Sequence, residues 1–212
     1  MTAAHVIYER ATAEWRRKLT LSAILVPFFC IPYFVIQRLP GQAAWKWPLG
    51  PVEEAIGFQP EWVWVYQSAY LLLASVPWLT ASTPDDLRRY ALGFVLASSI
   101  GFTIFLVMPI ECPRPPEVPA TGMYALLVSY DRPVNTFPSL HIGLAVYTVL
   151  FGARASRGQI VAAPRRVVFL ALGLWVCAIG YAAVATRQHF VVDLPAGAVL
   201  AWWCHRQVWK AP

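Results

Sequence analysis

Two histidines, one aspartate and three arginines in this sequence have the types and spacing that suit work on a phosphate group. His189 and Asp193 stand four residues apart in Thr186-Arg187-Gln188-His189-Phe190-Val191-Val192-Asp193. On a helix, that spacing brings two Cβ atoms to about 5–6 Å on one face. A histidine held by a carboxylate is fixed in one tautomer and becomes a better nucleophile or base. A second polar island, Asn135-Thr136-Phe137-Pro138-Ser139-Leu140-His141, opens an earlier apolar run. His141 there, when protonated, could give a proton to a leaving alcohol. Arg114, Arg132 and Arg187 flank the two islands, and arginine grips phosphate with paired hydrogen bonds. Ser139 stands where a helix would begin, and free N–H groups at such an end attract an anion. His141, His189 and Asp193 could also hold zinc as three ligands. They do not show metal-type clustering, so no metal and no cofactor is expected.

The elements that must hold these residues are set by composition. The chain is 58% hydrophobic and 13% charged, with mean hydropathy +0.52; a soluble domain carries about 25% charged residues. An integral membrane protein is expected, in which a net charge of +6 reflects basic cytoplasmic loops rather than nucleic acid. The first twenty residues are polar and lack the pattern of a cleavable signal. Cys30, Cys112, Cys177 and Cys204 form no CxxC pair and read as small hydrophobes.

Six apolar runs follow a basic, surface-lying lead-in at 1–18, and they predict helices at about 19–37, 62–84, 90–110, 138–153, 167–186 and 190–205. Pro27 and Pro32 are expected to kink the first. Residues 85–89 read as a turn, 111–132 as a stiff proline-rich loop, and Gly93 and Gly101 as sites of close helix packing. Arg10, Arg16, Arg17, Lys18, Arg88, Arg89, Arg154, Arg157, Arg165, Arg166, Arg206 and Lys210 then fall on one side of the membrane. Only Arg38, Lys46, Arg114, Arg132 and Arg187 fall on the other. The bias puts both termini in the cytoplasm and both polar islands on the external face. The fold expected is all-α: a single domain over 1–212, a six-helix transmembrane bundle with an external active site.

Pro138-Ser139-Leu140-His141, followed by Gln188-His189-Phe190-Val191-Val192-Asp193, resembles the type 2 phosphatidic acid phosphatase superfamily. The match is closest to its branch similar to inositol phosphorylceramide and sphingomyelin synthases. The resemblance covers roughly residues 90–205. It implies that His189 forms a phosphohistidine, that Asp193 orients it, and that His141 protonates the leaving group. It also implies that Arg114, in Arg114-Pro115, clamps the phosphate. Three positions depart from the phosphatase pattern: Val107 stands for a lysine, Leu140 for a glycine and Ala183 for an arginine. Arg187 and Arg132 are the cations left to fill those roles.

The expected reaction is removal of phosphate from a membrane lipid phosphate or diphosphate, with no metal. A second reading is a lipid phosphotransferase that passes a phospho-headgroup to an alcohol. A third is a non-catalytic transporter or scaffold in which the histidine–aspartate pair is structural. A bacterial inner membrane, with the site facing the periplasm or exterior, is the location expected.

Overall fold

The computed structural model describes residues 3–39, 44–157 and 162–210; the remainder of the loops expected around 40–43 and 158–161 lies outside the described residues. The chain is mainly helical: α1 (Ala3–Thr12), α2 (Trp15–Ile36), α3 (Pro51–Ile56), α4 (Val63–Thr80), α5 (Pro84–Val107), α6 (Gly122–Tyr130), α7 (Leu140–Ala155), α8 (Ala162–Ala185) and α9 (Asp193–Lys210). The all-α expectation holds apart from one short parallel pair, β1 (Trp45–Lys46) with β2 (Ile110–Glu111). The long helices α2, α4, α5, α7, α8 and α9 lie, in order, where the six apolar runs stand. Of these, α2, α5 and α8 are long and apolar enough to cross a membrane, and α7 is apolar but shorter.

Several boundaries differ from the sequence reading, each for a local reason. Residues 85–89 are the first turn of α5 and not a separate turn. Thr83 accepts from the Asp86 N–H, the Asp86 side chain accepts from the Thr83 N–H, and Pro84 takes the first helical position. That reciprocal cap satisfies two orphan donors and starts the helix early. The loop 111–132 is not extended throughout, because its apolar end forms α6, which packs Tyr124 and Leu127 on Val63, Tyr66 and Ala182. α2 starts four residues earlier than expected, at Trp15, and holds Pro27 and Pro32 within it. The lead-in is helical but not all surface: Arg10 is buried and donates to Thr80 O at the end of α4.

α7 sits at the centre, against α9, α4, α5 and α8, while α2 packs on α5. Gly93 of α5 makes room for the Tyr147 ring. At the end that carries both polar islands, three loops are stitched together. β1 pairs with β2, Ile110 bridges Asn135, Cys112 N–H donates to Pro133 O and Thr136 Oγ1 donates to Ile110 O. This stitching holds the Thr136 backbone still beneath the site.

Candidate active site

The two polar islands meet because α7 and α9 cross without side chains between them. A Cβ added at Gly197 would lie 2.2 Å from Ser139 O, and one at Gly143 would lie 3.1 Å from Gly197 O. Ser139 N–H donates to Asp193 O at 3.1 Å, so the starts of the two helices are tied directly.

His189 lies in the link between α8 and α9. α8 closes with Gln188 N–H to Ala183 O at 3.0 Å and Arg187 N–H to Val184 O at 3.0 Å, the paired bonds of a Schellman turn. Arg187 takes the left-handed position at φ 56, where glycine is usual; a side chain there costs about 1 kcal/mol. The turn swings His189 back over the helix end. The Asp193 carboxylate, at the start of α9, reaches back to it: Oδ2 accepts from Phe190 N–H at 2.8 Å and lies 3.3 Å from His189 Nδ1. Thr136 O lies 2.9 Å from the same nitrogen. Both neighbours are acceptors, so Nδ1 carries the proton and Nε2 presents a lone pair. The pair expected on one helix face therefore meets by another route. His189 stands outside the helix, and the sixth helix begins at Asp193 and not at 190.

His141 is in the first turn of α7. Its Nδ1 is 3.0 Å from Tyr66 Oη on α4, and the two rings stack with centroids 4.2 Å apart. The His141 and His189 ring centroids are 6.1 Å apart, edge to face. His141 Nε2 is buried with no partner among the described residues. Arg114 stands beside them: Nη2 donates to Gln188 Oε1 at 3.0 Å and Nη1 to Asp131 O at 2.9 Å. Its Nε is also buried and unpartnered among the described residues. Two histidines whose Nε2 atoms make no hydrogen bond among the described residues, with a guanidinium bonded to the residue before one of them, have the groups to bind an anion and move a proton.

The sequence model of the PAP2 superfamily matches residues 44–206. This chain belongs to the PAP2 superfamily. No curated protein and no solved structure matches it. Membership fits an enzyme of the phosphatase or phosphotransferase type, and with three apolar helices long enough to span a bilayer it makes this PAP2 chain a membrane protein.

The other candidates sit differently. Ser139 is the N-cap of α7, its Oγ accepting from Ile142 N–H at 3.3 Å. Arg187 is buried, and its Nη1 donates to Glu53 O at 3.0 Å, which turns the guanidinium toward α3. Arg132 is exposed, and its backbone N–H donates to Gln37 Oε1. Of these three arginines, Arg114 is the one bonded to Gln188, the residue before His189. Of the departing positions, Val107 is 75% exposed at the end of α5, and Ala183 is fully buried beneath the His189 turn. Among the described residues no three His, Cys, Asp or Glu side chains gather to hold a metal ion.

Three further residues shape the site and carried no signal in their local sequence. Tyr66 hides within an apolar run. Glu53 is buried, accepts from Val191 N–H through Oε1 at 2.8 Å, and with its backbone carbonyl holds Arg187. It therefore braces both sides of His189. Asp131 is buried behind Arg114, its Oδ1 accepting from Gln37 Nε2 at 2.7 Å and Tyr33 Oη at 3.1 Å. Burial raises its carboxyl above the usual range, against the opposing pull of Gln37, Arg114 and Tyr33.

Proposed function

We propose that this PAP2 chain removes phosphate from a membrane lipid phosphate or diphosphate through a phosphohistidine on His189. The observation that carries this reading is the pair of acceptors on His189 Nδ1, which leaves Nε2 as a nucleophile 6.1 Å, ring to ring, from a second histidine. Nε2 attacks phosphorus as the bond to the lipid oxygen breaks. The departing oxygen takes the proton from His141 Nε2, and Tyr66 Oη accepts from Nδ1–H of the same ring. A lipid alcohol leaves from a monophosphate, and a lipid monophosphate leaves from a diphosphate. In the second half His141 Nε2 takes a proton from water, the water oxygen bonds to phosphorus and the P–N bond breaks, releasing inorganic phosphate. Arg114 neutralises phosphate charge throughout, and Asp193 and Thr136 O hold the His189 ring and stabilise the positive charge it gains. Arg132, exposed beside Asp131, and the N-terminal turn of α7 behind Ser139 are secondary contributors to anion binding; Arg187 acts by holding the turn.

The topology that goes with this is the six-helix bundle with both termini cytoplasmic, in a bacterial inner membrane, with the site at the outer leaflet. The partners are the lipid phosphate and the surrounding membrane lipids, without nucleic acid. The branch resembling inositol phosphorylceramide and sphingomyelin synthases makes transfer to an alcohol the second reading. Asn135 Oδ1 and Gln67 Oε1, buried without partners among the described residues, near Tyr33 and Tyr130, favour it as acceptors for hydroxyl groups.

The test is phosphate release by detergent-solubilised protein from phosphatidic acid, phosphatidylglycerol phosphate and polyprenyl phosphate and diphosphate, with EDTA present. Release by wild type and none by His189→Ala is expected. Product formed only when a lipid donor and an alcohol are both added would establish the transferase instead. Silence in both assays, with both proteins folded, would leave a non-catalytic membrane protein.

A further inference from the structure

α2 and α4 both line one side of the bundle, but α2 leans on α5 while α4 leans on α7 and α8. Between them runs an apolar cavity of about 300 Å³, floored by α5 and α7. His141 lies at one end of it and Lys18 at the other. From Cys30 to Lys18 it follows α2 for about 18 Å at 1.5 Å per residue. That is slightly more than one leaflet of a hydrocarbon core about 30 Å thick. Its outer rim is open: Ser22, Val26, Tyr70 and Ala74 line it and are themselves exposed. Its far end is closed. Lys18 is buried, with Nζ donating to Arg10 O at 2.5 Å and to Trp78 O at 2.8 Å, and it sits over the Trp78 ring.

We infer that this groove seats one hydrocarbon chain of the substrate and that its closed end at Lys18 and Trp78 limits that chain's length. The inference rests on the proposed reaction for the identity of the headgroup, which His141 would meet at the groove's mouth. Between His141 and Lys18 its lining is mainly aliphatic and aromatic, and the Lys18 ammonium at the closed end is already held by two backbone carbonyls, so the depth suits a chain better than a headgroup. A chain moving from bilayer into the groove exchanges one apolar surface for another, so burial alone gives little preference. Selection therefore comes from sterics: a chain longer than the groove meets the Trp78 ring and Lys18, whose Nζ is held by Arg10 O and Trp78 O and cannot move aside without losing those bonds. A substrate with two chains would leave the second on the lipid-facing rim.

The test uses the full chain in nanodiscs with an n-alkyl phosphonate carrying a terminal diazirine, a probe that cannot be hydrolysed. After photolysis, the label is mapped by mass spectrometry. Label concentrated on the α2 and α4 segments bearing Ser22, Ala74 and Trp78 is expected. It should fall at least tenfold in the Ser22→Trp, Ala74→Trp double variant, which fills the groove far from both histidines. Phosphate release from a series of alkyl phosphates, run in parallel, should drop at least tenfold in kcat/KM once the chain exceeds the groove, and Trp78→Ala should move that limit to longer chains. Label spread evenly over the outward faces at Leu19 and Val168, unaffected by the double variant, would overturn the groove, as would a flat chain-length profile in an active enzyme. Groove-specific labelling without any phosphate release would instead sink the phosphatase reading and leave the chain site standing. Thermal unfolding of the double variant, matched to wild type, guards against loss of fold.

Discussion

Replacing Gly197 with alanine perturbs the contact on which the meeting of the two polar islands depends. The added Cβ would stand 2.2 Å from Ser139 O and 3.1 Å from Gly143 N, both backbone atoms that no rotamer change can move. An ordinary carbon–oxygen contact is about 3.3 Å or more, so α9 must withdraw from α7 by about 1 Å. Asp193 is at the start of α9 and His141 is on α7, so the withdrawal separates the His189 assembly from His141. A misplacement of about 1 Å between reacting groups costs on the order of 10²-fold in rate. Overpacking costs about 1–3 kcal/mol, offset in part by the better helix propensity of alanine, about 0.5–1 kcal/mol. The control is Gly173→Ala on α8, whose added Cβ meets nothing within 4 Å. The assay is phosphate release from a lipid phosphate in detergent, with thermal unfolding alongside. Gly197→Ala should lose about a hundredfold in kcat/KM and melt lower by about 2–4 °C per kcal/mol lost, while Gly173→Ala matches wild type or melts higher. Gly197→Ala with near-wild-type rate and melting would refute the crossing as the device that joins the site.

Other changes probe the supports. Glu53→Ala frees Val191 N–H and should slow phosphate release by on the order of 10-fold or more through a looser His189 turn, whereas Glu53→Gln, which keeps an oxygen acceptor, should recover most of it; equal loss in both would contradict the brace. Arg187→Ala should melt lower than Arg187→Gly, since glycine relieves the left-handed backbone by about 1 kcal/mol; the reverse order would contradict that account. Tyr66→Phe removes the hydroxyl on His141 Nδ1 and should lower kcat more than it raises KM, measured on one lipid phosphate. The raised carboxyl of Asp131 binds its proton more tightly folded than unfolded, so its contribution is full below the unfolded value of about 3.9 and is lost as pH rises through the folded value. As pH rises above about 4, wild type should therefore lose more, or gain less, melting temperature than Asp131→Asn; parallel profiles would reject that burial effect.

The long helices and the gathering of His141, His189 and Asp193 were legible in the sequence because apolar runs and helix starts are local features. The spacing of His189 and Asp193 was read as a helix face, yet a side chain reaching back from the first residue of α9 brings the same two residues together. The start of α5 was missed because the Thr83–Asp86 cap recruits charged residues that otherwise read as a turn. Arg187 was a candidate phosphate ligand on charge alone, but its guanidinium is held by Glu53, a partner from a distant loop. Glu53, Asp131 and Tyr66 depend on long-range contacts between loops stitched through β1, β2 and Asn135, and no spacing within one segment announces such contacts.

The central claim is a covalent phosphohistidine on His189, and rapid quenching tests it most directly. The protein would be mixed with a lipid phosphate bearing a labelled phosphoryl group, stopped in alkali within one turnover and digested for mass spectrometry. The account predicts an acid-labile, alkali-stable label on His189, absent in His189→Ala. Turnover without label on His189, or turnover that survives His189→Ala, would contradict it.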